Sequence, residues 1–102
     1  MEVFEALADS TRRRMLELLA VRERTAGELG AEFAVTQPAV SRHLRVLRDA
    51  GLVTYRRDAQ RRVYRLEPGP LESLDEWLEQ YRAYWTDRLD ALERHLDRRK
   101  KK

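Results

Sequence analysis

Eight arginines stand between Thr36 and Leu66, at positions 42, 45, 48, 56, 57, 61, 62 and 65, against Asp49 and Asp58 alone. A guanidinium is permanently charged and presents its N–H donors as a planar fork. That fork fits a phosphate, or the O6/N7 edge of a guanine, with two parallel hydrogen bonds. Arg42, Arg45 and Arg48 recur at a spacing of three, and five more arginines lie between Arg56 and Arg65 around a short polar connection. The chemistry on offer is therefore the gripping of a polyanion and the reading of base edges. The net charge of the 102-residue chain is only +3, but its distribution is uneven. Leu71 to Asp97 leans acidic, and a basic face set against an acidic remainder is the electrostatic footprint of a nucleic-acid binder. The bland alternative is an amphipathic helix with a solvated basic face.

Catalytic chemistry lacks its residues. There is no cysteine, hence no thiolate nucleophile, disulfide or cysteine-held zinc. His43 and His95 are too few for an ordinary multi-histidine site, and neither a Ser–His–Asp arrangement nor a phosphate-binding glycine loop is present. Glu72, Asp75, Glu76 and Glu79 read as a solvated helix face rather than as paired catalytic carboxylates. The chain is expected not to be an enzyme and to need no cofactor or metal. No apolar run approaches the ~20 residues that span a bilayer, and the N-terminus carries no signal-peptide pattern, so a cytoplasmic protein without membrane contact is expected.

The elements that must position the arginines follow from local signals. Thr36 is an N-cap type, Pro38 sits in the first turn, and Gly51 follows the last turn, so a helix is bounded at both ends. At 100° per residue, Val40, Leu44 and Leu47 share one face of it. Pro38, Ser41, Arg42, Arg45 and Asp49 share the opposite face, with Arg48 to one side. Upstream, Val3, Phe4 and Leu7 form a short apolar stripe. Asp9 or Ser10 can cap a helix from about Thr11 to Val21, with Met15, Leu16, Leu18 and Leu19 inward. Thr25 and Glu28 have capping-box spacing and open a short helix reaching about Phe33. Two short helices, a tight turn and a basic helix make a helix-turn-helix.

Two strands are predicted next, about Leu52–Arg57 and Arg62–Leu66, forming a basic hairpin. Their connection, Asp58-Ala59-Gln60-Arg61, has no glycine, which argues against a tight primed turn. After Pro68-Gly69-Pro70 the apolar residues Leu71, Leu74, Leu78, Tyr81, Trp85, Leu89, Leu92 and Leu96 fall within roughly 80° of a helical wheel. A helix from Leu71 to Asp97 would run ~40 Å, against a radius of gyration of ~13 Å for a compact domain of this size. An apolar stripe left exposed marks an interface. We expect a dimer face made of Val3, Phe4, Leu7, Leu74, Leu78, Tyr81, Trp85, Leu89 and Leu92. Trp77 and Tyr84 lie just off the stripe; with Tyr81 and Trp85 they either line a small-molecule pocket or pack in the dimer, and packing is favoured because no polar groups converge there. The expected architecture is mainly α with a small β-hairpin, in one domain over residues 1–97. Residues 36–50 form its recognition helix, 52–66 its wing and 71–97 its dimerisation helix, ahead of a disordered basic tail at 98–102.

The chain resembles the ArsR/SmtB group of bacterial transcriptional repressors, homodimeric winged-helix proteins, over nearly its whole length. FEALADSTRRRMLELL, from Phe4, is similar to the opening signature of that group, TQPAVSRHLRVLRDAGLV to its recognition segment, and RRVYRL to its second wing strand. The resemblance implies that Gln37, Ala39, Ser41 and Arg42 face the major groove of double-stranded DNA and that a bound dimer represses by occluding the promoter; two symmetric reading heads in turn imply an inverted-repeat operator. From the residues themselves, Arg42 and Arg45 can pair with guanine edges, Arg48 lies to one side of that face, and Arg56, Arg57, Arg61 and Arg62 belong to the wing, which can grip phosphates or enter the adjacent minor groove. His43 flanks the buried face and is expected as a satisfied boundary histidine. The cysteine positions of metal-sensing members hold Thr25 and Gly27 here, and the last helix carries only His95. The chain thus looks like a metal-free branch. The alternatives are a winged-helix protein-interaction module and a metal sensor with a non-standard site at His95; a small-molecule effector stays open.

Overall fold

The structure, a computed structural model, describes residues 2–100. In chain order it contains α1 (Glu2–Leu7), α2 (Ser10–Val21), β1 (Arg24–Thr25), α3 (Ala26–Gly30), α4 (Gln37–Asp49), β2 (Val53–Asp58), β3 (Arg61–Leu66) and α5 (Gly69–Lys100). The contacts divide these residues into two units, one ending at Glu72 and the other beginning at Ser73.

Capping sets the boundaries of the first unit. Asp9 caps α2, its carboxylate accepting from the amides of Thr11 and Arg12 at 2.8 and 3.1 Å. Thr25 and Glu28 close a full capping box on α3, each side chain taking the other's backbone N–H at 3.1 Å. That helix ends at Gly30, three residues short of the expected Phe33. Thr36 caps α4 through its hydroxyl, which accepts from the Ala39 amide at 3.2 Å.

The other end of α4 is a Schellman turn. Gly51 has φ +76°, its N–H donates to the Arg48 carbonyl, and the Leu52 N–H donates to the Leu47 carbonyl, both at 2.9 Å. Leu47 and Leu52 are buried in the same cluster, which supplies the apolar contact that accompanies this motif. The turn fixes the direction in which the chain leaves α4 for β2.

The sheet has three strands, not two. Its order is β1-β3-β2, antiparallel throughout, with Arg24 opposite Tyr64 and Thr25 opposite Val63. A two-residue strand has no periodicity to reveal it; it exists because β3 offers it a free edge. In the hairpin, Tyr55 faces Tyr64, Arg57 faces Arg62, and Asp58 faces Arg61. The connection is therefore two residues long, Ala59-Gln60, against the expectation of a looser turn. Ala59 takes φ +57°, the left-handed conformation that glycine ordinarily supplies. The register of six cross-strand pairs outweighs the cost at one alanine.

One core binds the unit together. Met15, Leu16, Leu18 and Leu19 from α2, Leu29 from α3, Val40, Leu44 and Leu47 from α4, and Leu52, Val53 and Tyr64 from the wing form a single buried cluster. Ala6 joins from α1, and the last residue in sequence to pack against the cluster is Leu71, partly buried. Arg12 ties α1 to α2 and α4: its Nε and Nη2 donate to the Ala6 and Glu5 carbonyls at 2.8 and 3.0 Å, and its Nη1 lies 3.2 Å from Nδ1 of His43.

The second unit is the body of α5. The helix runs on through Arg98 and Arg99 to Lys100, beyond the expected end at Asp97, so this part of the expected disordered tail is helical; Lys101 and Lys102 lie outside the described residues. Trp77 and Tyr81 meet edge-on at 5.1 Å, Tyr81 and Trp85 stack at 6.3 Å, and the Arg88 guanidinium lies 4.7 Å from the Tyr84 ring centre. Arg82 pairs with Asp75 and, at 2.6 Å, with Glu79. No described helix is long and apolar enough to cross a membrane.

Candidate nucleic-acid interface

Burial sorts α4 into two faces. Val40, Leu44 and Leu47 are buried, whereas Gln37, Ser41, Arg42, Arg45 and Arg48 are exposed and Ala39 is half-buried. The outward face thus carries an amide, a hydroxyl and three guanidiniums on a helix held from behind. The side chains of Arg42, Arg45 and Arg57 make no ion pair or hydrogen bond among the described residues, so no internal partner competes with a ligand for them. Gln37 packs where α3 approaches: a Cβ on Gly30 would stand 2.4 Å from its Nε2. Glycine at 30 therefore leaves the space in which the Gln37 amide sits.

The wing arginines are differently placed. Arg56 reaches the Glu23 carboxylate at 3.3 Å and Arg61 reaches Asp58 at 3.5 Å, both across exposed surface, where ion pairs contribute little and yield readily to a stronger anion. Arg57 and Arg62 face each other across the hairpin. Like charges directly opposite are unfavourable in an isolated sheet, and a polyanion would relieve them. Tyr64 and Tyr55 beside Arg62 favour its charged form.

Between α4 and the wing lies a cleft of about 310 Å³ lined by Ser41, Leu44, Arg45, Arg48, Tyr55, Arg62 and Tyr64. Sequence reasoning missed the two tyrosines. Arg48 and Arg62 both lie over the Tyr55 ring, at 5.4 and 4.7 Å from its centre. The signal that might have exposed this is the hairpin register, which follows from a two-residue turn the sequence did not announce. His43 is half-buried, with the Arg12 guanidinium at its Nδ1, and it stands behind the outward face rather than on it.

The residues expected at a dimer face separate into two groups. Val3 is only 8% exposed within its own chain, because Val3 and Ala6, three apart, form the inward side of α1. That leaves Val3 little surface to add to the face expected of it. Leu7 is half-buried against the core and Phe4 is 39% exposed. On α5, Leu74 and Leu78 are half-buried, while Tyr81, Trp85, Leu89 and Leu92 are exposed, Leu89 to 65%. Among the described residues no group of three or more His, Cys, Asp or Glu is disposed to hold a metal ion.

Comparison with known proteins adds ancestry to this geometry. The family model for bacterial regulatory proteins of the arsR family matches residues 9–55. The HTH-type transcriptional regulator Rv2034 of Mycobacterium tuberculosis is 42% identical over 94 residues, covering 92% of this chain and 85% of that protein. The transcriptional repressor SdpR of Bacillus subtilis is 34% identical over 76 residues, covering 74% of this chain and 84% of its own. Among solved structures, an ArsR-like transcriptional regulator from Rhodococcus superposes with a TM-score of 0.75 at 30% identity, over 94% of this chain and 88% of that one. A possible transcriptional regulator for arsenical resistance gives 0.73 at 41% identity, over 93% and 96%.

Proposed function

Since the chain belongs to the ArsR family of bacterial regulatory proteins and is a DNA-binding transcriptional regulator, we propose that it acts in the cytoplasm as a homodimeric repressor on an inverted-repeat operator. The observation that carries this reading is the outward face of α4, where Arg42 and Arg45 have no partner within the described residues and project from a helix whose other face is core. Gln37, Ala39, Ser41 and Arg42 read base edges, and Arg48, Arg56, Arg57, Arg61 and Arg62 grip the backbone on either side. This division follows the general one between contacts that position and contacts that specify.

Two such heads, related by a two-fold axis, meet half-sites about one helical turn apart. Phe4 and Leu7 in the first unit, and the exposed stripe of α5 in the second, are the apolar surfaces that the partner copy covers. Occupation of the operator excludes polymerase. The chain has no cysteine, so the release signal is not a thiolate-bound metal.

Selection of operator sequences from random DNA, followed by binding isotherms at several salt concentrations, tests the proposal. A palindromic consensus with a steep fall of affinity in salt is expected. A salt-insensitive protein without sequence preference would refute it.

A further inference from the structure

Two guanidiniums from different elements share one aromatic ring. The Cζ of Arg48, on α4, is 5.4 Å from the centre of Tyr55, and that of Arg62, on β3, is 4.7 Å from it. Tyr55 itself is firmly seated. It is half-buried on β2, packed against the core, and paired across the hairpin with Tyr64, ring centres 5.4 Å apart. Tyr64 is 5% exposed, so the platform behind Tyr55 is the core itself.

Neither Arg48 nor Arg62 has a carboxylate within ion-pair distance among the described residues. Two long cations that repel each other are held together because the negative face of one ring attracts both. They border the cleft that Ser41 and Arg45 also line, about 310 Å³ in volume. Concentrated positive charge without a counter-ion, a hydroxyl and an open gap together suit a tetrahedral oxyanion.

We propose that Tyr55 is a positioning residue, holding Arg48 and Arg62 as two arms of one clamp that closes on a single DNA backbone phosphate where the recognition helix meets the wing. The proposal rests on the reading of this surface as the DNA interface. Arg48 stands to one side of the outward face of α4, where a groove-docked helix passes the backbone rather than the base edges. Because one arm comes from the helix and the other from the wing, a phosphate between them fixes the wing relative to the helix. Removing the ring leaves both charges in place but frees Arg48 and leaves Arg62 only its contact with Tyr64, so affinity falls although no cation is lost.

The test is fluorescence anisotropy with a random-sequence DNA duplex at several chloride concentrations, with a thermal melt for each variant. Tyr55→Phe keeps the ring and is expected to bind as wild type does. Tyr55→Leu is expected to weaken binding by roughly 5- to 30-fold per wing engaged, the worth of two exposed cation–π contacts. The salt slope should drop by about one per wing. Arg48→Ala should cost much less in the Tyr55→Leu background than alone. Wild-type affinity in Tyr55→Leu, or losses that simply multiply in the double variant, would overturn the clamp. Should Tyr55→Leu melt non-cooperatively, Arg48→Ala and Arg62→Ala replace it: two arms on one phosphate lose less together than the product of their separate losses, and a full product overturns the clamp. A wild-type protein without salt-dependent affinity would instead sink the DNA reading, which the wild-type isotherm alone reveals.

Discussion

Arg42 and Arg61 carry the same charge and differ in what holds them. Arg42 projects, without an internal partner, from a helix backed by core, whereas Arg61 sits at the hairpin tip and leans on Asp58 at 3.5 Å. A rigid base allows a bidentate pairing with one guanine; a wing tip supports only a grip on the backbone. Arg42→Ala should therefore cost ~1–3 kcal/mol on the selected operator and relax preference at one position per half-site. Arg61→Ala should weaken operator and random DNA alike. Isotherms on both DNAs check this, and equal losses for Arg42→Ala would reassign it to phosphate. Asp9 works on stability instead. The Arg12 amide, then lesser contributions that include the Thr11 amide, holds its carboxyl below the ordinary value of 3.8. A carboxyl depressed on folding stabilises fully above its unfolded pKa, and the contribution is lost as pH falls through the folded value. Asp9→Ala should cost ~0.5–2 kcal/mol at neutral pH. Asp9→Asn keeps an accepting oxygen without the titration, so it should flatten the acid limb of a denaturation series; an unchanged limb would place the acid sensitivity elsewhere.

The helix α4 could be located from sequence because its signals are local: a threonine cap, a first-turn proline, a trailing glycine and apolar residues at 40, 44 and 47. The same holds for the capping box at Thr25 and Glu28. What could not be read there depends on partners distant in the chain. Arg24 and Thr25 become a strand only because β3 lies beside them. The sharing of Tyr55 by Arg48 and Arg62 needs both the hairpin register and the exit angle from α4. The two turn residues with positive φ give opposite predictions. Gly51→Ala forces an alanine to φ +76° and should cost about 1–2 kcal/mol, reorienting the wing as well as loosening the helix end. Ala59→Gly relieves an alanine already at φ +57°; after the extra chain entropy of glycine it should gain about 0.5–1 kcal/mol. Denaturant midpoints measure both, and a destabilised Ala59→Gly would mean that the tip is held by something other than backbone preference.

For the whole molecule, the proposed homodimer turns on the exposed face of α5. Trp85 and Leu92 are 49% and 54% exposed in the single chain, a state that large apolar side chains on one continuous stripe do not keep in water. Sedimentation should find a dimer at micromolar concentration. Trp85→Ala should weaken it by roughly 3–5 kcal/mol if the indole becomes fully buried in the pair; an unchanged dimer constant would place the indole outside the interface. The core of the first unit takes its last residue in sequence, Leu71, before most of that stripe occurs. This ordering bears on synthesis. Chains emerge from the ribosome N-terminal part first, and domains fold as units as they appear. The head can thus be complete while the adhesive helix is still inside the exit tunnel. The apolar surface thus follows a head whose core residues have all been made, so the stripe need not compete with that core for partners while the head folds.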